Sequence, residues 1–359
     1  MRPVLSGLSQ AAGKALGGAR FTVVSVLPVA VLTGYVTALV VSGAYAGDTV
    51  HTGELAGWTK NHAEWLAVAA FGCLLVGLLL RPFQVALVQM LEGYWQGRAV
   101  PEVAAALATE RHRRRLHTAL VVSDVVVPET PVTRFQDAVA LARRRSRAAR
   151  IAARAEGRML RYPTGPHPIP SAADEDDDRL MPTMLGNILR DGEDTSGRRY
   201  GLDLSTVSHR LYPQLSPKLT TAVNQQLDLL DTTCALSVSF GLATLAGVPL
   251  LGRLDLWSLA PLVTALLSVA AYRGSMRVAA DHAELLAAAF DLHRFDMLTA
   301  LHLKLPSTPA EEYERNTALT EFLASPKTLA KDELPGLTYE HPDPGLPASG
   351  PTGQPDGPA

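Results

Sequence analysis

The stretch 21–47, FTVVSVLPVAVLTGYVTALVVSGAYAG, contains no charged residue. A helix needs about 20 apolar residues to cross the hydrocarbon of a bilayer, and a helix apolar all round belongs either in a large core or in lipid. Three more blocks follow. WLAVAAFGCLLVGLLL (65–80) is bracketed by Glu64 and Arg81, with FQVALVQML continuing after Pro82. TTCALSVSFGLATLAGVPLLG (232–252) lies between Asp231 and Arg253, and LWSLAPLVTALLSVAAY (256–272) between Asp255 and Arg273. These blocks account for a mean hydropathy of +0.10, high for a chain with polar sequence between them. The pattern predicts four transmembrane helices in two hairpins. Pro28, Pro249, Pro261, Gly34 and Gly241 are compatible with this, because neighbouring helices re-satisfy freed backbone groups. No Asp, Glu, Lys or Arg falls inside a block, which argues against a proton relay or ion path.

The basic residues orient the spans. Arg2, Lys14 and Arg20 precede the first, residues 81–161 carry fifteen arginines and no lysine against seven acids, and Arg273 and Arg277 follow the last. The loop after the first span holds Asp48, Glu54, Lys60 and Glu64. The positive-inside rule therefore predicts a plasma-membrane protein with both termini and the 82–231 segment in the cytoplasm. AYA at 44–46 resembles a signal-peptidase site, but the apolar run before it exceeds the 7–15 residues of a signal sequence, so the first span is expected to stay uncleaved. Cys73 and Cys234 lie within apolar blocks and read as packing residues.

Two helices look too long for their spans. SPKLTTAVNQQLDLLDTTCALSVSFGLATLAGVPLLG (216–252) starts polar and turns apolar near Asp231, so its first part is expected to stand in the cytoplasm as a stalk. Leu219, Val223, Leu227 and Leu230 form a stripe that is expected to pack against the continuation of the fourth span. That continuation carries Val278, Leu285, Ala289, Leu292, Phe295, Leu298 and Leu301 at helical spacing and stops before Pro306. TPAEEYERNTALTEFLAS begins a last helix with a cap and an acidic first turn.

Between the hairpins, residues 83–109 read as a helix with Val85, Val88, Leu91 and Trp95 on one face. HTALVVSDVVVP (117–128) reads as a short β element from its β-branched content, a buried helical turn being the alternative. Residues 134–161 are helical, and Arg143, Arg147, Arg150, Arg154, Arg158 and Arg161 fall on one stripe. This stripe suits an anionic leaflet. An acidic protein partner, or the chain's own DEDDD run at 174–178, is the alternative. Nucleic acid is disfavoured, since no aromatics interleave the arginines. In MPTMLGNILRDGED, Thr183 is placed to cap a helix that Gly192 ends. Asp203 or Ser205 then caps another before Pro213.

No catalytic signature emerges. Asp281, His282, Asp291, His293 and Asp296 lack metal-ligand spacing; Asp291 with Arg294 and Arg277 with Asp281 read as helical ion pairs. His112 and His117 read as a solvated basic face. HExxH, CxxC, GxSxG, Walker A and GxGxxG are all absent, and the expectation is a non-enzyme with no cofactor. A lipid-active enzyme would have only Asp203, His209 and Arg210 to draw on.

PTMLGNILRDGEDTSGRRYGLDLSTVSHRLYP (182–213) resembles a group of uncharacterised bacterial, largely actinobacterial, integral membrane proteins with a PTxLGN-x-LR…RYGxD…RLxP stretch before the third span. AAFDLHRFDMLTALHLKLPSTPAEE is similar to the same group's region after the last span. The matching positions are Pro182, Thr183, Leu185, Gly186, Asn187, Leu189, Arg190, Arg199, Tyr200, Gly201, Asp203, Arg210 and Leu211; Ser208–His209 departs from a motif that often carries Trp before its arginine. The resemblance implies topology and no activity. On the residues themselves, LGNILR also reads as a helix packed on the stalks, with Gly186 permitting close approach and Asn187 bonding backbone.

The reading is thus an all-α membrane protein with two helices extended as cytoplasmic stalks, the 117–128 segment being either one short β element or a helical turn. Its segments are 1–20 N-terminus, 21–80 first hairpin, 81–161 arginine-rich helices, 162–180 mobile proline-rich and acidic linker, 181–230 LGN/RYG segment and stalk, 231–273 second hairpin, 274–332 cytoplasmic helices and 333–359 disordered tail. The leading function is a membrane anchor or scaffold that docks a cytoplasmic protein. Its docking candidates are Thr183, Leu185, Gly186, Asn187, Leu189, Arg190, Arg199, Tyr200, Gly201, Asp203 and Arg210. The alternative is a homo-oligomeric channel or small transporter.

Overall fold

The computed structural model describes residues 22–45, 57, 62–95, 99–123, 135–163, 179–253, 255–324 and 337–341. Among them every regular element is a helix. A π-turn, Thr22–Val26, leads into α1, Leu27–Val41. Pro28 sits at the helix start, where its missing N–H costs no bond. α2, Ala63–Leu80, passes through a 3₁₀ turn at Arg81–Phe83 into α3, Gln84–Glu92. Then come α4, Ala99–Ser123, and α5, Phe135–Met159. α6 is Met184–Ser196, α7 Leu204–Leu211, α8 Pro217–Gly247, α9 Ala260–Ala300 and α10 Pro309–Ala324.

Four helical stretches are long and apolar enough to cross a membrane: Val24–Val41, Glu64–Glu92, Pro217–Arg253 and Leu256–Ala300. At about 1.5 Å per residue α8 is about 46 Å long and α9 about 62 Å, both beyond the hydrocarbon thickness. α8 stops five residues short of the expected end at 252. Pro249 has no N–H to donate and would clash with the carbonyl four residues back, so Val248–Arg253 tightens into 3₁₀.

Three further expectations change. The helix expected over 83–109 breaks at Gly93, which adopts φ +104° as a left-handed C-cap, with the N–H groups of Gly93 and Tyr94 both on Gln89 O. Its intended apolar face splits, Val88 buried and Val85 exposed. The β element fails where it can be seen: α4 runs through His117–Ser123, while 124–128 lie outside the described residues. Valine's helix penalty is under about 1 kcal/mol per residue, and packing of Leu116 and Leu120 against Tyr162 and Met159 outweighs it. Gly192 does not end α6; it lies mid-helix where α6 touches Ala283.

The chain forms two compact units, Met1–Thr195 with Pro217–Ala287, and Ser196–Ser216 with Ala288–Ala359. In the first, α8 and α9 are tied by small polar side chains. Ser237 Oγ donates to Ser268 O (3.2 Å), Ser268 Oγ to Ser237 O (2.8 Å), and the Thr244 and Thr264 hydroxyls pair at 3.0 Å. Such bonds hold helices where lipid gives no hydrophobic drive to associate. Gln226 Nε2 extends the seam to Val278 O (3.1 Å). Of the expected stripe on α8, Val223 and Leu230 are buried but Leu227 is exposed. Val88, Leu185, Ile188, Leu230, Cys234 and Ala279 form one core, into which α6 brings two members. A second core joins Leu39, Ala44 and Leu250. There Arg253 donates to Ala44 O (3.1 Å) and pairs with Asp255 (3.1 Å).

His112 overturns its solvated-face assignment. It is 7% exposed, and its Nδ1 lies 3.0 Å from the Oη of buried Tyr162. Burial, then the charges of Arg115 and Arg111, hold its pKa below the ordinary 6.5. Burial likewise raises that of Tyr162, opposed by Arg115 and Arg158.

In the second unit α7 and α10 pack with the end of α9, where Phe290 and Met297 are fully buried and Leu298 nearly so, while Leu292 of the expected stripe is 67% exposed. The tail is not wholly without structure. Leu303 and Tyr339 form an antiparallel bridge, with Lys304 N on Thr338 O (3.0 Å) and Glu340 N on His302 O (2.8 Å).

Candidate functional site

The stretch 183–210 that carries the docking candidates is divided between the two units. In the first unit its residues face inward. Leu185 and Asn187 have no exposed surface, and Gly186 is buried. A Cβ at Gly186 would lie 2.1 Å from Glu92 O, so only glycine lets α6 seat against the end of α3. Thr183 Oγ1 caps α6 by accepting from Gly186 N (3.0 Å) and donates to Glu92 O (2.8 Å). The Asn187 amide closes the entry turn. Its Oδ1 accepts from Met181 N (2.9 Å), and its Nδ2 donates to Met181 O (2.9 Å) and Thr183 O (2.7 Å). Thr183, Leu185, Gly186 and Asn187 therefore build the seat and offer little surface to a partner. Leu189 packs against the same core, and Arg190 points to Asp194 at 3.9 Å, where Arg179 also pairs (3.1 Å).

In the second unit the RYG turn is clamped. Gly201 has φ +74°, and a Cβ there would meet Tyr313 O at 2.4 Å, so this position excludes every other residue on both counts. Asn316 Nδ2 donates to Tyr200 O (2.8 Å) and Thr320 Oγ1 to Gly201 O (3.1 Å). Tyr200 Oη donates to Asp291 Oδ1 (2.5 Å). The Arg294 guanidinium stacks 4.1 Å over the Tyr200 ring while its Nε pairs with buried Glu312 at 2.6 Å. Arg294 thus pairs with Glu312 and not with the expected Asp291 carboxylate. Burial first, then the Asp291 hydrogen bond, raises the Tyr200 pKa.

Asp203 caps α7, accepting from Thr206 N (3.2 Å), Thr206 Oγ1 (2.7 Å) and Ser205 Oγ. Burial pushes its pKa up, but these bonds more than offset that and leave it lowered. Arg210 donates back to Thr206 O (2.9 Å), and exposed His209 has only Ser208 Oγ at 3.4 Å. None of these bonds joins Asp203, His209 and Arg210 to one another. Arg199, Asp203, Ser205, His209 and Arg210 are the exposed residues of 196–210.

Of Asp281, His282, Asp291, His293 and Asp296, four are tied up separately, while the Nδ1 of His282 is buried without a hydrogen-bond partner among the described residues. Asp281 accepts from Gln226, His293 bridges Asp296 (2.8 Å) and Ser216 N (3.3 Å), and Asp291 serves Tyr200. Among the described residues no three His, Cys, Asp or Glu side chains group as a metal site. The stripe arginines Arg143, Arg147, Arg150, Arg154 and Arg158 on α5, and Arg161 two residues past its end, are all exposed, while Ala155 beside the stripe is buried.

Sequence reasoning missed Glu312, Asn316 and Thr320 as the clamp's other jaw. Their spacing of four places three polar groups on one face of α10, a signal that was present.

The four membrane-length helices make this a multi-pass membrane protein. No protein-family model, curated protein or solved structure matches the chain.

Proposed function

We propose that the protein is a non-catalytic membrane anchor, of the bacterial family its PTMLGN…RYG stretch resembles, that docks an acidic protein at the cytoplasmic face of the plasma membrane. In this reading α1 with α2 and α8 with α9 are two transmembrane hairpins, and both termini are cytoplasmic. The parts of α8 and α9 beyond the bilayer are stalks. The observation that carries it is the exposed arginine face of α5: five guanidiniums on the helix and a sixth, Arg161, just past its end, a charge density that folding does not require. Arg199 on the clamped turn and Arg210 on α7 add two further exposed cations. A photo-crosslinker at Arg147, used in intact membranes, is expected to capture one protein in fixed ratio, and R143E/R147E/R150E to abolish the capture. Recovery of no protein, or capture that survives the charge reversal, refutes docking.

A second reading is a homo-oligomeric channel or small transporter. It is favoured by a cavity of about 600 Å³ bounded by α1, α2 and α8, lined by Val29, Leu32, Cys73, Val76, Val238 and Leu242 among others. Solute flux into liposomes containing the purified protein tests it, and no flux above empty liposomes excludes it.

A further inference from the structure

We propose that a recess between α4 and α5 binds the phosphate of an anionic lipid headgroup. The recess has a volume of about 730 Å³. Arg111, Arg114, Arg115 and Arg158 wall it, over a floor that includes Tyr162 and Met184. Its one acid, Glu110, is already engaged by Arg114 (2.7 Å) and Arg113 (3.4 Å). Among the described residues Arg111, Arg115 and Arg158 have no ion-pair partner. Three like charges around a concavity repel one another, and an anion that bridges them removes the repulsion. Guanidiniums match phosphate oxygens in bidentate geometry. The floor adds no competing charge, since Tyr162 Oη is turned onto a buried His112.

The course of α4 selects a lipid over a soluble phosphate. Val100, Val103 and Leu107 are 81%, 61% and 68% exposed, and their spacing of three and four puts them on one face. Arg111, Arg114, Arg115 and Thr118 continue that face toward the C-terminus. A helix face that changes from exposed apolar to basic suits the boundary between acyl chains and phosphates. The recess opens at that change, with Leu107 on one side and Arg111 on the other. α4 also follows closely on the second span.

The test uses the full chain, purified in detergent, stripped of lipid and titrated with phosphatidylglycerol or phosphatidylcholine under native mass spectrometry. One phosphatidylglycerol per chain is expected to bind in preference to phosphatidylcholine. Each arginine facing an anionic headgroup contributes on the order of fivefold, so R111Q/R115Q/R158Q is expected to weaken binding about a hundredfold. R143Q/R147Q/R150Q removes the same charge from the outer stripe and is expected to change binding less than threefold. E110Q frees Arg114 and is expected to tighten binding several-fold, a gain that misfolding cannot produce. Equal binding of the two lipids overturns the proposal, as does equal weakening by the two triple variants, which would indicate diffuse attraction. Complete displacement by millimolar inorganic phosphate would assign the recess to a soluble anion and overturn the lipid.

Discussion

Asn187 is where a single side chain most clearly holds two segments together. It has no exposed surface and makes three hydrogen bonds of 2.7–2.9 Å, two to Met181 and one to Thr183. Asn187→Ala removes all three and leaves the Met181 N–H and C=O without their partner. Each such group costs about 1–3 kcal/mol, so the local loss is about 3 kcal/mol. At about 1.4 kcal/mol per decade, that opens the turn roughly a hundredfold more often. Hydrogen exchange of the full protein in detergent, read on the peptide spanning 180–190, should speed by about that factor, with peptides of α10 unchanged. Asn187→Asp keeps the shape and the acceptor for Met181 N, but at neutral pH sets a carboxylate oxygen against two carbonyls. It should exchange at least as fast as the alanine variant and slow again as the pH falls and the carboxyl gains a proton to donate. Exchange of Asn187→Ala within threefold of wild type, or of Asn187→Asp equal to wild type at neutral pH, would refute the account.

Three other outcomes follow from the geometry. The Arg294 and Glu312 side chains are 15% and 8% exposed, so Glu312→Gln or Arg294→Met alone should cost about 3–5 kcal/mol in denaturant unfolding, while R294M/E312L costs much less because no buried charge is stranded. Gly201→Ala forces a left-handed φ on a side chain that meets Tyr313 O at 2.4 Å; it should destabilise the second unit by more than the 1–2 kcal/mol or so of backbone strain alone, seen as faster exchange in α10. The folded pKa of His112 is held below its ordinary 6.5, so on acidification the unfolded chain takes up the proton first. Its contribution is therefore complete above pH 6.5 and is lost as the pH falls through the lower folded value; His112→Gln should flatten that part of the stability–pH profile.

The motif that resembles a family divides by role. LGN is a seat: small, buried and bonded to backbone. RYG is a turn gripped by α10, with its charged neighbours left outside.

The four membrane-length apolar helices found among the described residues were legible in the amino-acid order alone, because a crossing needs about 20 apolar residues in one local run. That order also settled the excess length of α8 and α9, the arginine stripe of 143–161 and the cap at Thr183, since these depend on residues within a few turns of one another, whereas it left the next cap open between Asp203 and Ser205, and the structure chose Asp203. Helix ends at Gly93 and Gly247 were misplaced because glycine and proline act according to what packs nearby, and Gly192, which looks the same on paper, stays inside its helix. Five valines in 121–127 suggested a strand, and the contacts of Leu116 and Leu120 made a helix of the described part. Pairings such as His112 with Tyr162, Arg294 with Glu312 and Gly186 with Glu92 join residues 18 to 94 positions apart. No local spacing encodes them, because they arise only when separate helices compete for the same buried space, and that competition decides which charges are consumed and which, like the recess arginines, remain to bind something else.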